Sequence, residues 1–272
     1  MCELLGMSFN IPVGARISLD LFQERGKENP DGWGIAFYRG SSLQLVKEAQ
    51  PAVKSPLFDF VERYPESMTF ISHVRRSTMG TRSYANTHPF YRVISDNHQR
   101  SEYAFAHNGT LKDASMLSLS TLNPIGETDS EYLMCYLLEQ LLDRGDIRLN
   151  TDSFQYLEQL LREINGVENT LNCMLTDGEF LLCYSDESRH NGGLRFAEQI
   201  QPFGSVDLID EDTTLGFVDL SANIEGEEEG PSGYLIVTRA LTGKDWIEFN
   251  PGELVVFRHG HIVYPVNRVS SH

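Results

Sequence analysis

Apolar positions along this chain come mostly in short runs of four to seven residues. ELLGMSF (3–9) reads as a first strand, and WGIAFYRG (33–40) and LQLVKEA (43–49) as two strands joined by a Gly-Ser turn. MTFISHV (68–74) is a further strand that runs into the polar segment RRSTMGTR (75–82). YAFAHNGT (103–110) is another, closing on His-Asn-Gly, a turn signal. TLNCMLTD (170–177) and EFLLCYSD (179–186) flank Asp177-Gly178, and GYLIVTRA (233–240), GELVVFRHG (252–260) and HIVYPV (261–266) complete the strands.

Three segments depart from this pattern and predict helices. SPLFDFVERY (55–64) is short, with Ser55 as N-cap ahead of Pro56 at the first helical position. Thr128-Asp129-Ser130-Glu131 fits a capping box and precedes the apolar run YLMCYLLEQLL (132–142). DSFQYLEQLLREINGV (152–167) places Leu157, Leu160, Leu161 and Ile164 at i, i+3, i+4 and i+7, with Gly166 as a stop. Residues 186–232 are the least regular; Gly192-Gly193 and the acidic tract EGEEEG (225–230) read as a solvated loop. Strands, two helices, then strands, without a Pro/Ser-rich linker or an internal repeat, predict one domain over 1–272 with helices packed on sheet.

A hydrophobic content of 40% supports a real core, and no apolar run approaches the roughly 18–20 residues of a membrane span. With no secretory signal visible, a cytoplasmic location is expected. The net charge of −17 makes phosphate backbones and anionic membranes poor partners. Of the four cysteines, Cys135, Cys173 and Cys183 sit in apolar surroundings and read as buried small hydrophobes. No C-x-x-C pair occurs, and His73, His88 and His107 offer no paired-ligand spacing, so neither a metal nor another cofactor is expected.

Cys2 stands apart, with only Met1 before it. A thiol of pKa about 8.5 benefits from a base, and removal of Met1 would supply one on the same residue: an α-amine with a reference pKa of about 7.7–8.0. Asn108 and Gly109, at the end of a strand, suit an oxyanion hole through a carboxamide and a backbone N–H, although Asn-Gly is also the commonest hairpin turn. Arg75 could clamp a carboxylate, with Arg76 as the alternative if strand alternation turns Arg75 into the core. Asp129 could hold an ammonium group, or simply favour the helix N-terminus. Together the two clamps describe the head of an amino acid. Trp33 in DGWG is a candidate pocket wall, packing being its commoner role.

Cys2 with GMS close behind, DGWGIAFY (31–38), SHVRRSTMG (72–80), NTHPF (86–90), AHNGTL (106–111) and TDSE (128–131) occur in the order found in class II glutamine amidotransferases. The chain resembles that family, and within it the stand-alone YafJ-like branch, near enzymes that cleave γ-glutamyl bonds. The resemblance implies an α+β fold, the four-layer α/β/β/α sandwich of N-terminal-nucleophile hydrolases with two stacked, mostly antiparallel sheets. It also implies Cys2 as nucleophile on the glutamine γ-carboxamide, Asn108 and Gly109 as oxyanion hole, Arg75 and Asp129 on the α-carboxylate and α-amine, and Thr78 in a loop closing over glutamine. Arg76 and Met79 stand where sugar-phosphate amidotransferases carry Trp and His, and no room is left for their ammonia-consuming domain. An ammonia-accepting synthetase or activating subunit is the partner this suggests. Two alternatives accompany the reading: a γ-glutamyl-conjugate amidohydrolase using the same site, and a non-catalytic glutamine-sensing or partner-supporting subunit, which retention of Met1 would favour.

Overall fold

The computed structural model describes residues 2–14, 22–61, 66–96, 98–166, 168–200, 205–210, 213–219, 230–241 and 245–269. The strands are β1 (Glu3–Gly14), β2 (Gly32–Arg39), β3 (Ser42–Glu48), β4 (Glu66–Arg75), β5 (Phe90–Ser95), β6 (Arg100–Thr110), β7 (Thr170–Thr176), β8 (Phe180–Tyr184), β9 (Arg195–Ile200), β10 (Ser205–Asp210), β11 (Thr213–Asp219), β12 (Ser232–Val237), β13 (Ile247–Glu248), β14 (Leu254–Arg258) and β15 (His261–Tyr264). The helices are α1 (Pro56–Val61), α2 (Asp129–Arg144), α3 (Thr151–Ile164) and the short α4 (Val266–Val269). Seven strands form one sheet in the order β13-β9-β12-β1-β4-β2-β3, and six form another in the order β15-β14-β8-β7-β6-β5, while β10 and β11 pair with each other. The pairings are antiparallel throughout.

The near-continuous apolar runs are explained by burial on both faces of each sheet. Successive side chains point to opposite faces, so neighbours in sequence enter different cores. Leu4, Ile71 and Ile236 of the seven-stranded sheet meet Ala106, Met174, Leu181, Cys183, Val255 and Phe257 of the six-stranded sheet. The intervening Leu5, Phe70, Leu235 and Val237 turn the other way, onto Phe58 and Val61 of α1 and onto Phe22. On the far side of the six-stranded sheet, Phe105, Cys173, Leu175, Leu182 and Val256 pack against Leu133, Leu137 and Leu141 of α2 and Phe154, Leu157 and Leu161 of α3. Each fully buried side chain of this size is worth about 1.5–3 kcal/mol relative to an exposed one. The result is an α+β stack of helix, sheet, sheet and a thin helical cover, the four-layer α/β/β/α arrangement.

Several local expectations are corrected. Asn108-Gly109 is not a turn: β6 continues to Thr110, with Asn108 opposite Asn172 and Gly109 opposite Leu171. The capping box of α2 is only half made. Thr128 Oγ1 accepts from the Glu131 amide at 3.2 Å, but the Glu131 carboxylate turns to Arg92 and to the Gly126 amide, at 2.6 Å each. The full box belongs to α3, where Asn150 and Ser153 cap each other. Within 186–232, β9 joins the seven-stranded sheet and β10 pairs with β11, so the segment is not one long loop; the acidic tract at 225–229 lies outside the described residues.

Candidate active site

The site lies where the start of β1, the end of β4, the end of β6 and the N-terminus of α2 converge. Glu3 is opposite Val74, which leaves Cys2 just beyond the pairing, beside the β4 terminus. Cys2 is half-buried; its Sγ donates to the Arg76 carbonyl at 3.0 Å and accepts from the Arg76 amide at 3.1 Å. Burial pushes the Cys2 thiol pKa above its ordinary value, against the opposing pull of the Arg76 amide and the Arg75 charge.

Val74 faces the α1 side, so alternation turns His73 and Arg75 toward the second sheet. Arg75 is indeed buried, but in the pocket rather than in apolar core. Its Nη2 donates to Ser77 Oγ at 3.1 Å and to the Met79 carbonyl at 2.8 Å, while Nη1 is buried without a partner. Asp31, ahead of β2, accepts from the Ser77 amide at 2.9 Å, pinning the exposed segment that carries Thr78 and Met79.

From the opposite sheet, Asn108 has the same parity as Ala106 and crosses the inter-sheet space. Its Nδ2 donates to the Cys2 carbonyl, and its Oδ1 accepts from Asn191 Nδ2 at 2.8 Å. His107, of opposite parity, faces α2: Nε2 donates to the Thr170 carbonyl at 3.0 Å, leaving Nδ1 to accept from Ser130 Oγ at 2.9 Å. Burial lowers the pKa of His107 despite the attraction of Asp129, so the ring is neutral. At Gly109 a Cβ would collide with the Thr170 carbonyl and the His107 ring, which is why only glycine fits. Asp129 is buried; Oδ2 accepts from the Leu111 amide at 2.7 Å, and it meets no cation among the described residues.

Cys2, Arg75, Arg76, Thr78, Gly109 and Asp129 thus line one pocket, together with Met79, His88, His107, Thr128 and Ser130. Trp33 does not. Gly34 faces the 87–89 segment, where a Cβ would strike the His88 carbonyl, so the next residue back points the opposite way. Trp33 is fully buried against Phe58, with ring centroids 4.8 Å apart.

His73 lies behind the pocket against His88, which lines it; their ring centroids are 4.3 Å apart, the planes are tilted by 38°, and the ring nitrogens of both are without hydrogen-bond partners. Burial, followed by the charge of Arg75, pushes His73 down to about 3, and His88 is also lowered, so both are neutral. Among the described residues no group of three or more His, Cys, Asp or Glu could hold a metal. Asp31, Ser130 and Asn191 escaped the sequence reading. Asp31 and Ser130 stand inside the DGWGIAFY and TDSE motifs without having been singled out, and Asn191 had only the Asn-Gly-Gly run, which indicates a turn.

A family model described as glutamine amidotransferases class-II matches residues 1–271. An uncharacterized protein of Methanocaldococcus jannaschii is 39% identical over 272 residues, spanning 100% of this chain and 73% of its own length. The YafJ protein of Escherichia coli, provisionally named a glutamine amidotransferase, is 33% identical over 97% of this chain and 100% of its own. A 2.0 Å crystal structure described as a predicted glutamine amidotransferase from Pseudomonas aeruginosa has a TM-score of 0.70 at 28% identity, covering 97% of this chain and 100% of that one. Glutamine phosphoribosylpyrophosphate amidotransferase of B. subtilis has a TM-score of 0.59 over 96% of this chain and 48% of its own; at 15% identity the likeness is one of fold. No helix among the described residues is long and apolar enough to cross a membrane.

Proposed function

The chain belongs to the class II glutamine amidotransferases, and from that premise we propose that it cleaves the γ-carboxamide of glutamine with Cys2 as an N-terminal nucleophile. The observation that carries this reading is the single pocket lined by Cys2, Arg75, Thr78, Gly109 and Asp129, with Asn108 bonded to the Cys2 carbonyl.

A thiol held up by burial is protonated at neutral pH and needs a base. Removal of Met1 provides the Cys2 α-amine, whose reference pKa of about 7.7–8.0 suits proton exchange near neutrality. The amine takes the thiol proton, directly or through one water, as sulfur bonds to the γ-carbon and the carbonyl π pair moves to oxygen. One N–H of the Asn108 carboxamide can remain on the Cys2 carbonyl while the other, with the Gly109 amide, meets the oxyanion. Collapse expels the nitrogen, which leaves as ammonia with the proton returned by the amine. Water then repeats the sequence on the γ-glutamyl thioester to give glutamate and free thiol. The unpartnered Nη1 of Arg75 suits the α-carboxylate, Asp129 the α-ammonium, and Thr78 the mouth of the pocket.

The test is the intact mass of the protein before and after exposure to a diazoketone analogue of glutamine. A chain lacking Met1 and carrying one adduct on Cys2, blocked by excess glutamine, is the expected result. A chain that keeps Met1 and stays unlabelled would overturn it and favour a sensing subunit. This clamp reads only the γ-glutamyl head, so rates on glutamine against γ-glutamyl amines decide the leaving group. An ammonia-accepting synthetase or activating subunit completes the proposed setting, and ammonia release with and without that partner measures the coupling.

A further inference from the structure

We propose that Asn191 is the positioning residue of the oxyanion site, fixing which end of the Asn108 carboxamide faces Cys2; the inference rests on the reading of Asn108 as oxyanion donor. The two ends of a carboxamide are nearly equal in size, and sterics alone do not choose between them. The Cys2 carbonyl can only accept, so it selects the Asn108 NH₂. Oδ1 must then point away, into a place where a donor is required. Asn191 Nδ2 supplies that donor at 2.8 Å. Neither amide can be reversed alone, because each reversal would set two acceptors or two donors face to face. Neither asparagine is in the pocket lining, but Asn108 reaches the Cys2 carbonyl whereas the Asn191 side chain bonds to Asn108, so Asn191 acts through Asn108.

The surrounding backbone is built to present this one amide. Arg189 and Asn191 both have φ 55°, and Gly192 and Gly193 follow at φ 82° and 73°. Asparagine is among the few side chains that occupy this left-handed region readily. The turn is tied down by two fully buried side chains. Asp186 Oδ1 accepts from the Ser188 and His190 amides at 2.9 and 3.0 Å. Asn172 accepts from the Asp186 amide at 3.0 Å and donates to the His190 carbonyl at 2.8 Å. Asn172 is also the residue opposite Asn108 across β6 and β7. The donor and the carboxamide it orients are therefore referenced to the same point of the same sheet. The Oδ1 of Asn191 is itself buried without a partner, so its amide serves here only as a donor.

The test uses two substitutions in the full chain with Met1 removed. Asn191→Gly keeps the backbone conformation and deletes the donor; Asn191→Asp keeps shape and conformation but offers only acceptors, inviting Asn108 to turn its NH₂ away from Cys2. The expected outcome is a fall in kcat for glutamine of about 10- to 100-fold, larger for the Asp variant, with KM nearly unchanged. Affinity for glutamate γ-semialdehyde should fall in parallel, since addition of the Cys2 thiol to its carbonyl converts that oxygen to the anion the site must hold. Asn108→Ala should make Asn191→Gly silent in the double variant, because residues acting through one group are not additive. Losses that multiply in the double variant, or an unchanged kcat in Asn191→Gly beside a depressed one in Asn108→Ala, would overturn the role of Asn191 and leave the oxyanion reading standing. An unchanged kcat in Asn108→Ala would sink that reading, and this inference with it.

Discussion

The wall contributed by the seven-stranded sheet keeps hydrogen-bonding capacity in reserve, whereas the wall contributed by the six-stranded sheet has spent its own. On the first, Arg75 Nη1 is unpartnered, the Cys2 thiol bonds only to the backbone N–H and C=O of Arg76, and Thr78 and Met79 are exposed. On the second, Asn108 is bonded at both ends, His107 at both nitrogens, and Asp129 to the Leu111 amide. Fixed donors stabilise charge that develops during reaction without reorganising, while adaptable groups meet a ligand as it enters. Apart from the nucleophile Cys2 on the first wall and the proposed ammonium clamp Asp129 on the second, the first wall should therefore govern binding and the second the stabilisation of the transition state.

The largest expected effect tests that division. Asn108→Ala should lower kcat for glutamine by about 10²–10³-fold with little change in KM. Arg75→Lys, which keeps the charge and loses the planar fork, should raise KM about 10-fold and leave kcat within a few-fold. Steady-state kinetics on the two variants suffice. The same signature from both would mean that the walls do not divide the work.

The two walls also differ in how far they were legible in the sequence. Both sheets show in the apolar runs because their central strands are buried on two faces, which leaves Leu4-Leu5 or Leu181-Leu182-Cys183 uninterrupted. Strand β5 was missed because its FYRVIS run begins against Pro89, and β9 because RFAEQI follows Gly192-Gly193. Cys2, Arg75, Asn108, Gly109 and Asp129 were candidates by residue chemistry, but only the ordered family motifs joined them, with Thr78, into one site. Spacing along a chain does not report that Cys2 meets Arg76 across 74 positions. The second wall was harder still. Asn108-Gly109 looks like a turn until Thr170 closes on it from β7, and Asn191 is 83 residues from the side chain it serves. Trp33 shows the converse limit: a residue inside a motif faces away from the site when its neighbours must face toward it.

A smaller effect should appear in the pH dependence of Cys2. Its thiol is raised chiefly by burial, so the thiolate is scarcer in the folded chain than in the unfolded one at a given pH. Alkylation by neutral iodoacetamide, followed by peptide mapping, should reach half its maximum near pH 8.5 in urea, about the reference thiol pKa, and be close to level by about pH 10. In the native chain it should still be climbing there. Arg75→Lys should keep the native profile, because the charge survives, whereas Arg75→Ala should move it to higher pH. A native profile that levels off below the unfolded one would show that positive charge, not burial, rules this wall.

The smallest effect probes whether the second wall is fixed locally or by the whole layer behind it. Asn150 caps α3: its Oδ1 accepts from the Asp152 and Ser153 amides at 3.0 and 3.2 Å, and Ser153 Oγ accepts from its amide at 2.8 Å. Phe154, Leu157 and Leu161 of that helix pack on the sheet that carries Asn108 and His107, but α3 contributes nothing to the pocket. Asn150→Ala should cost about 1 kcal/mol of stability and lower Tm by about 2–4 °C. The bonds that position the site groups run from His107 to Thr170 and Ser130, from Asp129 to Leu111 and from Asn191 to Asn108; their link to α3 is at its far end, where the C-cap Asn165 donates to Asp186 at 2.9 Å, away from the Asn150 cap. Loosening the helix should therefore leave kcat/KM within error at temperatures below the transition. Calorimetry and rates on one preparation give both quantities. A kcat that declined with Tm would place the rigidity of this wall in the helical layer rather than in its own hydrogen bonds, and the contrast between the walls would then reflect packing depth instead of bond commitment.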